Sequence, residues 1–81
     1  MRRKYKLLDV EDRPVVIFED RKGFFRKKII LRAFVWHSES SWIEVPGLVG
    51  KSMVDGISLN HNEFNKEFPQ ADLSTLFKLV N

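Results

Sequence analysis

Apolar positions alternate with polar ones through the first half of the chain and fall into a helical period at its end, so strands are expected first and helices last. Lys4 to Val10 reads as a strand of imperfect alternation: Tyr5 and Leu7 share one parity, Leu8 and Val10 the other, which calls for a bulge near Leu7–Leu8. The charged run Glu11-Asp12-Arg13 before Pro14 marks a turn or the start of a strand. Val15-Val16-Ile17-Phe18 is β-branched and aromatic, a good strand centre. Asp20-Arg21-Lys22-Gly23 then suits a tight hairpin turn.

Phe24 to His37 is the longest segment without a breaker. Its β-branched and aromatic content favours a strand, although Phe25, Ile29, Ala33 and Trp36 also line a helical stripe. Fully extended, these residues would span about 46 Å, whereas a globule of this length is only about 30 Å across. A bent strand or a curved, barrel-like sheet resolves the conflict. Ser38-Glu39-Ser40-Ser41 is a polar turn, and Trp42 to Val45 a short strand closed by Pro46-Gly47. Three glycines (47, 50 and 56) make residues 46–58 read as a loop.

Beyond the loop the period changes. Asn60 lies three residues before Glu63, the spacing of a capping box, and Phe64 and Phe68 follow at i, i+4. Pro69 stops this first helix. Asp72 caps a second, in which Leu73, Leu76, Phe77 and Val80 form an amphipathic stripe that should dock on a sheet face. The predicted fold is α+β: a small, curved antiparallel sheet, open or barrel-like, within residues 4–45, then helices near 60–68 and 72–80.

Composition changes this picture little and charge changes it more. With 43% apolar residues, seven Phe and two Trp in 81 residues, the chain is a single folded domain rather than a disordered segment. No apolar run approaches the roughly 20 residues of a membrane span, and residues 1–6 lack the apolar core of a signal peptide, so a cytoplasmic protein without membrane contact is expected. The absence of cysteine excludes a disulfide framework and thiolate zinc sites. Residues 1–32 carry 11 Lys and Arg against 5 Asp and Glu, or +6; residues 33–81 carry 3 against 6, or −3. The net +3 therefore conceals a two-faced field.

Catalytic signatures fail on inspection. Gly47-Leu48-Val49-Gly50-Lys51-Ser52 has Val45 where a P-loop needs its first glycine. His61-Asn62-Glu63 matches the His-x-Glu of zinc deaminases, but those sites also need cysteines. No Gly-x-Ser-x-Gly elbow is present, and the carboxylates are scattered in sequence. The chain is expected to bind rather than catalyse, with no cofactor or metal. Signatures of RRM, KH, cold-shock and zinc-ribbon domains are absent too.

Two binding readings remain. On the extended segment the even positions read Phe24, Arg26, Lys28, Ile30, Arg32, Phe34 and Trp36, and apart from Ile30 they interleave cations with rings. Surfaces for single-stranded nucleic acid do the same, cations following phosphates while rings stack on bases. Arg2, Arg3, Lys4, Lys6, Arg21 and Lys22 would extend this surface for nucleic acid or another polyanion. The simpler reading of Phe24, Phe34 and Trp36 places them beneath the C-terminal helix. The second reading is a small regulator or inhibitor of a larger protein, or a homodimer. It would use Trp36, Trp42, Leu48, Val49 and Met53, the aromatic and Met side chains favoured at interface hot spots.

Overall fold

The computed structural model describes residues 4–22, 28–37 and 41–80. Strand β1 (Lys4–Val10) turns into β2 (Arg13–Lys22) through Glu11 and Asp12 alone. Both turn residues have positive φ, 52° and 63°, as a two-residue hairpin whose twist matches its strands requires. The Asp9 carboxylate accepts the Asp12 N–H at 2.9 Å and holds the turn closed. Pairing runs unbroken from Lys4↔Glu19 to Val10↔Arg13, so the expected bulge at Leu7–Leu8 does not form.

Strand β2 continues through Lys22, which pairs with Lys28 at the start of β3 (Lys28–His37). Asp20, Arg21 and Lys22 are therefore strand residues rather than the hairpin turn, and Gly23 to Lys27 lie outside the described residues. Strand β4 (Ser41–Glu44) pairs with the second half of β3, and Val45 N–H adds a bond to the Ala33 carbonyl at 2.9 Å. After helix α1 (Leu48–Asp55), strand β5 (Ile57–Leu59) pairs with β1. The antiparallel sheet has the order β4-β3-β2-β1-β5 and is open, not barrel-like. A ten-residue β3 spans about 33 Å and fits the 40 Å long axis of the molecule, so length does not force closure.

Helices α2 (His61–Glu67) and α3 (Leu73–Val80) complete the chain. Asn60 Oδ1 accepts the Glu63 N–H at 2.8 Å while Glu63 accepts the Asn60 N–H at 3.2 Å, the reciprocal capping box expected from their spacing. Asp72 accepts the Ser74 N–H and the hydroxyls of Ser74 and Thr75 at the start of α3; these bonds hold its carboxyl below the ordinary Asp range.

Helices cover both faces of the sheet, which accounts for the imperfect alternation of β1. Leu7, Val16, Phe18 and Phe34 meet Phe64 and Leu76 of α2 and α3 on one face. Leu8, Val10, Val15, Ile17 and Ala33 form a second core on the other, against Leu48 and Val49 of α1. Both parities are apolar because both faces are buried.

Helix α1 occupies most of what reads as a loop over residues 46–58. Gly47 is its N-cap and Gly56 its C-cap, so two of the three glycines punctuate the helix ends. Gly50 is exposed within the helix, with open space around the position a Cβ would take. Gly50→Ala is expected to stabilise the fold by about 0.5–1 kcal/mol, read in a urea melt, because alanine loses less backbone entropy on entering a helix. No helix among the described residues is long and apolar enough to cross a membrane.

Candidate binding surface

Residues two apart on a strand share a face, and β1 uses this to place Lys4 and Lys6 on the side of the sheet that carries Leu8 and Val10. Register then builds a row across three strands. Lys4 lies opposite Glu19 and Glu19 opposite Leu31; Lys6, Ile17 and Ala33 form the next row. Helix α1 covers this face farther along, and its Met53 reaches the uncovered part. The result is a groove of about 660 Å³ whose lining includes Ile17, Leu31, Tyr5 and Met53, with Lys4 and Lys6 beside them. Both lysines are exposed and lack an ion-pair partner among the described residues, and Met53 is 51% exposed. Glu19 is half-buried.

Tyr5 forms the junction between this groove and the opposite face. Its ring packs against Phe18 and Phe77, and its hydroxyl lies 2.7 Å from His61 Nε2 at the start of α2. His61 is thus an exposed helix-end residue held by Tyr5.

The even positions of β3 do not make a stacking surface. Phe34 is 2% exposed, edge-on to Phe18 at 5.7 Å and inside the core beneath α2 and α3. Trp36 is half-buried and T-shaped against Trp42 at 5.3 Å. Arg32 makes a bidentate pair with Glu44, both contacts 3.0 Å, and approaches Asp20 at 3.6 Å. Its guanidinium carbon lies 5.2 Å from the Phe34 ring centroid. Glu44 holds the Arg32 guanidinium more firmly protonated than usual, and Arg32 lowers the Glu44 carboxyl in return. Parity is as expected, but the face that parity selects is the one α2 and α3 cover.

The other named positions divide similarly. Arg2, Arg3, Phe24 and Arg26 lie outside the described residues. The backbones of Arg21, Lys22 and Lys28 lie at the end of the sheet where Lys4 begins β1. Among the interface candidates, Trp42 is 5% exposed and donates its indole N–H to the Asp72 carbonyl at 2.8 Å, tying β4 to the start of α3. This buried, hydrogen-bonded ring is a structural anchor, not an exposed hot spot. Leu48 and Val49 are half-buried against the second core, which leaves Met53 as the open member of the set.

Folding also gathers carboxylates that are scattered in sequence. Asp9, Asp12 and Glu67 place oxygens within 4.8 Å of one another, where the β1–β2 turn meets the end of α2. A hydrogen bond to Asp9 and repulsion from Asp9 and Asp12 raise the Glu67 pKa. Asp9 and Asp12 share a turn, but no local signal links them to Glu67; α2 must first dock. A raised folded-state pKa means that the native state binds protons more readily than the unfolded state. Its stabilising effect is present below the ordinary Glu range and is lost as pH rises through the raised value. Glu67→Gln is therefore expected to stabilise the protein at pH 7, with the advantage over wild type shrinking toward pH 4 in paired thermal melts.

No protein-family profile, curated protein or solved structure matches this chain.

Proposed function

We propose that this is a small binding protein that performs no chemistry and holds an anionic partner at the cationic end of its sheet. The observation that carries this reading is the pair of exposed lysines, Lys4 and Lys6, beside an apolar groove. Arg32, by contrast, is engaged by Glu44 and Asp20. A nucleic acid or another polyanion satisfies the charge. With Phe34 in the core and Trp36 packed on Trp42, its contact would run through phosphates rather than stacked bases.

Salt titration of binding to a single-stranded oligonucleotide tests the reading. Lys4 and Lys6 alone would give a log–log slope of about −1.4, and a steeper slope would mean that further cations join the contact. Lys4→Ala combined with Lys6→Ala should abolish or strongly weaken binding. No detectable binding of any polyanion at 50 mM salt would sink the proposal. A specific observation also favours the regulator reading: Met53 and Leu31 give the groove an apolar lining that charge neutralisation does not require.

A further inference from the structure

Resting on that reading of an anion-holding groove, we infer that its partner is an extended acidic peptide segment with bulky apolar side chains at alternate positions. Three features of the groove point to this chemistry over a phosphate chain.

The first is spacing. Lys4 and Lys6 stand two residues apart on one strand, about 6.6 Å along it. Alternate side chains of an extended peptide have the same repeat. Carboxylates at positions i and i+2 of such a segment would meet both ammonium groups. The intervening side chains would then turn to the opposite side of the peptide, across β2 toward Leu31 on β3.

The second is the apolar lining. Leu31 is half-buried and Met53 is 51% exposed, so each retains surface to lose on contact. Met53 has an unbranched, adaptable side chain that can close around an inserted leucine or phenylalanine. A volume of about 660 Å³ lies within the range of ligand sites and accommodates such side chains.

The third is Glu19. It lies directly opposite Lys4, half-buried in the groove, and no hydrogen bond or ion pair engages it among the described residues. A carboxylate in the middle of a phosphate track repels its ligand. Beneath a peptide the same carboxylate is an acceptor for backbone N–H groups, which a phosphodiester chain does not supply. Two cations and one carboxylate thus match a ligand that carries carboxylates and N–H donors together.

The test uses three labelled probes in fluorescence anisotropy at 50 mM salt: a ten-residue peptide alternating Glu and Leu, its counterpart alternating Glu and Ser, and a ten-nucleotide oligothymidylate. The Glu–Leu peptide is expected to bind about tenfold more tightly than the Glu–Ser peptide. Met53→Ser, at a half-exposed position that leaves the core intact, should remove that advantage. Lys4→Ala with Lys6→Ala should weaken the Glu–Leu complex at least tenfold. Equal binding of the two peptides, or no effect of Met53→Ser, would overturn the inference. In that event, lysine-dependent oligonucleotide binding would leave the broader anion-binding reading in place. If none of the three probes binds, both fail.

Discussion

Replacing Phe34 by alanine is expected to lower the free energy of unfolding by about 3–5 kcal/mol in a urea melt. The ring is 2% exposed, edge-on to Phe18, and lies among the side chains that α2 and α3 bring to the sheet. Truncation removes its buried apolar surface and leaves a cavity that a sheet clamped from both sides cannot fully close. It also takes away the aromatic face beside Arg32. A chain of this length has about 4–12 kcal/mol of total stability, so the variant would lose a large part of it. A loss below 1 kcal/mol would contradict the core assignment. Weaker nucleic-acid binding by Phe34→Ala, if observed, would therefore report a damaged fold, whereas Lys4 and Lys6 report on the surface itself.

The second large effect concerns Gly56. Its backbone is ordinary extended chain, φ −71° and ψ 135°, which any residue can adopt. Space is what selects glycine. A Cβ at this position would overlap the Ser52 carbonyl oxygen and come within 3.2 Å of Leu8 Cδ1. Neither neighbour can yield cheaply: Ser52 O accepts the Gly56 N–H at 2.9 Å, and Leu8 belongs to the second core. Gly56 is also the single residue between α1 and β5. Gly56→Ala is expected to cost about 1–3 kcal/mol, the range for overpacking. In a chain of this size that lowers the melting temperature by at least about 4 °C. Gly50→Ala supplies the internal control, since the same chemical change there meets no atom and should act in the opposite direction. Equal melting temperatures for the two variants would refute the steric account.

These positions show how far the sequence carries the fold. The final helix, the capping box of α2 and the Glu11–Asp12 turn are local patterns, readable because their signals lie within a few residues. Helix α1 is not readable in this way. Its glycines look like breakers until Leu48 and Val49 are seen against the sheet and Gly47 and Gly56 at the ends. Alternation along β3 assigns side chains to two faces but cannot say which helices will cover each, and Phe34 lies on the face that α2 and α3 cover. The groove divides in the same manner. Charge alone marks Lys4 and Lys6, and exposed sulfur marks Met53. Ile17, Glu19 and Leu31 join them only through the registers Lys4↔Glu19, Lys6↔Ile17 and Glu19↔Leu31, which depend on the docking of three strands.

The position of β5 has a consequence for how the molecule assembles. Strands β1 to β4 pair with their sequence neighbours, and the β1–β2 pairing closes around two residues. Pairing of β5 with β1 instead joins Leu59 to Leu7, 52 residues apart. Loop closure grows costlier with the length enclosed, and long-range contacts slow folding accordingly. The meander therefore forms at low entropic cost. Strand β5 and the Tyr5–His61 contact gain their partners only when the C-terminal third returns to the first strand. The strand that presents Lys4 and Lys6 thus forms one half of a local hairpin, and the distant β5 covers only its Leu7–Asp9 stretch; no strand among the described residues pairs with Lys4 to Lys6 on that side.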